Sequence, residues 1–228
     1  MKKILILFGL TVCFSALFSQ TIIEHPNFGT KTHPSLNINK IVLTENETII
    51  YLTVENQIDG GWFCADQKLY ILSSKEKLKL VKSEKIPVCP DRFNFTKIGE
   101  RLDFTLYFPS IKKTEISIDI VEDCDNACFS FGGVFVSKQI NDSINLAYKA
   151  YQTNTPVMAL TIFKKLVENH PNYKYGIFIY NIIKIYSEQE EWNNAIIWYK
   201  KLLKSKYLDK QGLLESIRNE KFYSKISN

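Results

Sequence analysis

The chain has 228 residues, 45% hydrophobic and 23% charged, with 9 glycines, 7 prolines and a formal net charge of +5. This balance excludes a disordered or collagen-like chain, and no interior apolar run is long enough to span a bilayer. At roughly 100–200 residues per domain, the length allows one large domain or two small ones.

Met1, Lys2 and Lys3 form a basic start, Ile4 to Phe18 an apolar run, and Ser19 a small residue before Gln20. We read 1–19 as a secretory signal peptide, short of the ~20 apolar residues that a membrane span needs. A lipoprotein reading would use Cys13, but Val12 before it is larger than the usual small residue. Removal of Cys13 with the signal leaves Cys64, Cys89, Cys124 and Cys128, an even number for an oxidising compartment. Four cysteines allow three pairings, and the expected one joins Cys64 to Cys89 and Cys124 to Cys128. Zinc held by all four thiolates needs a reducing compartment. A catalytic redox pair needs two intervening residues, whereas Cys124 and Cys128 have three.

Residues 20–34, with His25-Pro26 and His33-Pro34, read as an irregular lead-in. From Ser35 to about Lys138 the hydrophobic pattern has period two. Leu102, Phe104, Leu106 and Phe108 alternate with Asp103, Thr105 and Tyr107; Ile116, Ile118 and Ile120 alternate with Ser117, Asp119 and Val121. Further strands are expected at 36–43, 48–55, 68–72, 78–81 and 129–136, separated by turn residues such as Asp59-Gly60-Gly61, Gly99 and Pro109. Seven short strands with no helical pattern between them predict an antiparallel β-sandwich over 35–138.

After Asn141 the period becomes helical. Leu146, Ala147, Ala150 and Tyr151 fall on one face, with Asp142 or Ser143 as the expected N-cap. Pro156 opens a second helix carrying Ala159, Leu160, Phe163, Leu166 and Val167. Helices follow at 177–186 and 192–203, the latter with Ala195, Ile196, Tyr199 and Leu202 on one stripe. Asp209 starts a last helix with Leu213, Leu214 and Ile217 inward. The predicted fold is therefore α+β in two domains, with a helical domain over 142–228.

These helices repeat: Ala159, Phe163, Lys164, Lys165 and Leu166 recur as Ala195, Tyr199, Lys200, Lys201 and Leu202, 36 residues on. With Leu146-Ala147, Pro171, Ile182 and Tyr186, the spacing resembles two tetratricopeptide units, which implies helix hairpins that bind other proteins. No tryptophan opens either unit, and Tyr207 stands where a proline is usual. The β half, through Ile41-Val42-Leu43-Thr44, Gly61-Trp62-Phe63 and Phe104-Thr105-Leu106-Tyr107-Phe108-Pro109, resembles exported β domains of Bacteroidota-type bacteria. That likeness implies a compartment and carries over no catalytic residue.

His25, His33 and His170 are scattered without carboxylate or cysteine motifs at ligand spacing, and no phosphate loop or nucleophile elbow is present. We expect no enzyme activity, no cofactor and no resident metal. Asp119, Glu122, Asp123 and Asp125 form an acidic strand end suited to a hard cation or, more simply, a solvated turn beside a disulfide. Trp62 is expected to pack against the Cys64 bridge, an exposed aromatic platform for a sugar or peptide being the alternative.

Charge separates the halves. Residues 20–137 hold 13 Lys+Arg against 16 Asp+Glu, net −3, whereas 138–228 hold 14 against 8, net +6. Lys164, Lys165, Lys200, Lys201 and Lys204, with Trp198, are the expected partner-binding residues of the helices, and Trp62 that of the β half. The expected protein is exported, periplasmic or secreted, with no transmembrane helix in its mature chain. Its expected partner is another protein or peptide of acidic character, not nucleic acid, with envelope association open. A carbohydrate- or envelope-binding role for the aromatic β domain is the competing reading.

Overall fold

The structure, a computed structural model, describes residues 20–227. The expected signal peptide and Cys13 lie outside them. Numbered along the chain, twelve strands precede six helices among the described residues. One sheet has the spatial order β1 (Thr21–Glu24), β3 (Leu36–Leu43), β4 (Glu47–Glu55), β10 (Arg101–Pro109), β8 (Lys82–Glu84). The other runs β2 (Thr30–Lys31), β12 (Ser130–Phe135), β11 (Ser117–Glu122), β6 (Leu69–Leu72), β7 (Lys77–Lys79). A separate two-stranded ladder joins β5 (Trp62–Phe63) to β9 (Phe93–Asn94). All these ladders are antiparallel.

The period-two pattern works as expected on the long strands. β4 alternates buried Thr48, Ile50, Leu52 and Val54 with half-buried neighbours, and Phe104, Leu106 and Phe108 of β10 turn inward beside them. Apart from Thr48, these side chains share one hydrophobic cluster with Leu69, Ile71, Ile118, Ile120, Phe131 and Val134 of the other sheet.

Two expectations for this half are corrected. The lead-in is not wholly irregular, since β1 and β2 edge the two sheets; runs of four and two residues are too short for a periodic signal. The strand expected at 78–81 is two. β7 pairs with β6, then Leu80 and Val81 pass the chain across, donating to Leu69 O and Tyr107 O, and β8 pairs with β10 in the other sheet. Continuous hydrophobicity there hides a change of pairing partner.

The helices are α1 (Lys138–Gln152), α2 (Pro156–Asn169), α3 (Ile177–Glu188), α4 (Trp192–Lys204), α5 (Lys210–Arg218) and a short α6 (Tyr223–Ile226) that the sequence pattern did not reveal. Pro156 opens α2, and Asp209 is the N-cap of α5, as expected. The N-cap of α1 is Ser137, whose Oγ accepts from Ile140 N at 3.4 Å, not Asp142 or Ser143. Ile140 and Ile144 extend the buried face a turn earlier, and Leu146, expected inward, is exposed.

The helices sit against the end of the second sheet. Phe135 belongs to the helical cluster, its ring tilted against Tyr173 and stacked on Phe178. Buried Asn141 bonds both ways: its Oδ1 accepts from Asn27 N at 2.7 Å, and its Nδ2 donates to Phe135 O at 2.9 Å. Opposite Asp119, strand β12 inserts an extra residue at Gly132-Gly133, a bulge with Gly133 at φ +66. Tyr173 Oη donates to Gly133 O at 2.9 Å, and Tyr175 Oη donates to Asp119 Oδ1 at 2.8 Å. A Cβ on Gly132 would stand 2.6 Å from Tyr175 Cε1, so the missing side chains make the seat.

Candidate functional site

On α4 the core residues Ala195, Tyr199 and Leu202 leave the opposite face to solvent. Ile197, Lys200, Lys201 and Lys204 stand there at i, i+3, i+4 and i+7, one side of a helix with 3.6 residues per turn. They line a shallow hollow of about 510 Å³ completed by Ile179, Ser205 and Tyr207. Ile197 is 62% exposed among the three lysines. Lys201 Nζ rests 4.4 Å from the ring of Trp198, which is half-buried and so no open platform. Among the described residues no carboxylate lies within 4.0 Å of Lys200, Lys201 or Lys204.

The other predicted lysines stand apart. Lys164 donates to Tyr186 Oη and lies over that ring, so it already has a partner. Lys165 is exposed on α2 and does not line the hollow. Ile197 and Tyr207 were not among the expected partner residues, although the off-stripe position of Ile197 was visible on the α4 helical wheel.

At the end of the β half, a cleft of about 780 Å³ opens between the two disulfides. Cys64–Cys89 and Cys124–Cys128 form as expected, with Cα–Cα distances of 5.4 and 5.8 Å. The expectation that Trp62 packs inward is corrected: it is 39% exposed and lines the cleft, with the Arg92 guanidinium 3.9 Å from its ring. Strand alternation explains the exchange. Phe63, the next residue of β5, takes the inward position and packs near Phe104, Phe129 and His33.

Glu122 ties the two sides of this cleft together. It is only 7% exposed; Oε1 accepts from Asp66 N and Oε2 from Phe129 N, each at 2.9 Å. The side chain thereby ties the segment after Cys64 to the strand after Cys128. Burial pushes its carboxyl up to about 7, against those two backbone bonds that favour the charged form. His33 Nδ1 is buried without a partner, and burial, with the nearby charge of Lys31, lowers the imidazole below its ordinary value.

The acidic strand end disperses. Asp119 Oδ1 accepts from Gly133 N at 2.6 Å and from Tyr175 Oη, Glu122 is consumed as above, and Asp123 faces Lys77 at 3.8 Å. Among the described residues no group of three or more His, Cys, Asp or Glu side chains is placed to hold a metal ion. Nor is any described helix long and apolar enough to cross a membrane. No family model matches this chain, and comparison with curated proteins found no relative.

Proposed function

We propose that this is an exported, non-enzymatic protein that engages another protein through its helices, docking an acidic segment with an apolar side chain on the α4 hollow. The carrying observation is the exposed Ile197 among three lysines that lack counter-charges. An acidic partner supplies those charges, and the concavity suits a side chain better than a flat surface does. In this reading residues 35–138 are a β-sandwich domain, disulfide-braced, that acts as scaffold or second docking module. The helices are tetratricopeptide-like hairpins, a reading supported by the full burial of Ala147, Ala159 and Ala195 where helices approach closely. Export is supported by two formed disulfides.

The test is fluorescence anisotropy with a labelled peptide alternating Glu and Leu, compared with one alternating Lys and Leu. The Glu-Leu peptide should bind, weaken as salt rises, and lose at least tenfold in affinity in the triple variant K200E/K201E/K204E. Equal binding of both peptides, or an unaffected triple variant, would overturn the proposal. Amino-terminal sequencing of native material should begin at Gln20; a start at Met1 would refute export by signal cleavage.

A further inference from the structure

We infer that the cleft between the two disulfides binds a neutral oligosaccharide, independently of the α4 surface. Its volume of about 780 Å³ falls within the range of ligand pockets. The walls are fixed before any ligand arrives. Both disulfides border the cleft, Phe63 and Phe95 are buried beneath it, and Glu122 pins its two sides together. Such bracing lowers the entropy lost on binding.

The exposed groups set the ligand's chemistry. Trp62 is 39% open to solvent with the Arg92 guanidinium over its ring, and the indole surface left open suits a ligand with an apolar ring face. Around it stand polar side chains with hydrogen-bonding capacity to spare: among the described residues Arg92, though over the Trp62 ring, has no acidic partner, and the side chains of Asp125 and Asn126 accept or donate no hydrogen bond. Arg92 only donates, Asp125 only accepts, and Asn126 does both. A hydroxyl also does both, so a polyhydroxylated ligand can satisfy all three, and bonds to ionised groups are the strong ones.

Charged ligands fit less well. An anion would approach the carboxylates of Asp66 and Asp125, and Glu55 already paired with Arg101, with Arg92 as the one Lys or Arg lining the cleft among the described residues. A cation brought to the indole would be repelled by the Arg92 guanidinium already 3.9 Å from its ring. An uncharged ring with several hydroxyls avoids both costs.

The experiment is an array of soluble neutral oligosaccharides, acidic oligosaccharides and Lys-rich peptides, probed with the disulfide-intact protein. Hits are followed by tryptophan fluorescence in a W192F/W198F background, where Trp62 is the remaining reporter. The expected result is binding of at least one neutral oligosaccharide with a change in Trp62 emission. Affinity should fall tenfold or more in W62A, weaken in R92A, and stay unchanged in K200E/K201E/K204E. Thermal unfolding and non-reducing mass mapping establish that W62A keeps its fold and both disulfides. No neutral oligosaccharide bound at millimolar concentration, binding that survives W62A, or a preference for the acidic sugars or the peptides would overturn the inference. Failure of the acidic peptide on α4 leaves this result untouched, because the two sites share no residue.

Discussion

Glu122 shows how much one side chain can couple two segments that are distant in sequence. In the unfolded chain its carboxyl titrates near 4.5, and in the folded protein burial holds it at about 7. The folded state therefore favours the protonated acid. Its stabilising contribution is complete below about pH 4.5 and is lost as pH rises through 7. The gap corresponds to about 3 kcal/mol at most. His33 acts in the opposite sense: its lowered value favours the neutral ring, so its contribution is present above the ordinary 6.5 and is lost as pH falls. Urea unfolding of wild type and Glu122→Gln at several pH values separates the two, because His33 is common to both. Wild type should lose stability relative to the variant between pH 4.5 and 7.5, by up to about 3 kcal/mol; a constant difference across that range would contradict the buried acid. Glu122 could be seen in the sequence only as one of four acids. Period two puts Glu122 on the side of Ile118 and Ile120, away from Asp123, but the pattern does not say that a carboxyl there is covered, since burial is decided by the segments packed above.

At the scale of elements, α4 and the β12 bulge differ in how far they could be read. The exposed face of α4 follows from 3.6 residues per turn alone, so Ile197, Lys200, Lys201 and Lys204 could be grouped from the sequence. Gly132-Gly133 could be read as a turn or bulge, but not as the seat of Tyr175, which lies more than forty residues on. Crowding there gives a sharp contrast between glycines. Gly132→Ala should cost about 1–3 kcal/mol through overpacking against Tyr175. Gly133→Ala should add about 1 kcal/mol or more, because its φ of +66 disfavours any side chain. Gly212→Ala in α5 meets nothing within 4 Å and should instead stabilise by about 0.5–1 kcal/mol. Denaturant midpoints measure all three, and a neutral Gly132→Ala would show that the helices are not seated on the bulge.

In the whole molecule, the helices meet the β half through Asn141, Tyr173, Tyr175 and Phe135, while the disulfides brace the cleft. The chain-entropy model makes the two bridges unequal, because Cys64–Cys89 spans 25 residues and Cys124–Cys128 only 4. Replacing the first pair with alanine should cost about 3.5 kcal/mol and the second about 2, measured by denaturant unfolding. The reverse order would mean that the small loop holds the cleft together more than its length implies.

The sequence by itself determined the α+β order, the long strands, most helix starts and the basic face of α4. Each of these rests on a local period, a capping residue or a short spacing, which neighbouring residues carry without reference to the rest of the chain. Only the tertiary structure decided that Trp62 faces outward while Phe63 fills the core, that residues 77–84 divide between two sheets, and that Glu122 is buried between the disulfides. Those outcomes depend on which distant segments pack together, and burial and pairing are properties of the packed partners, not of the local pattern.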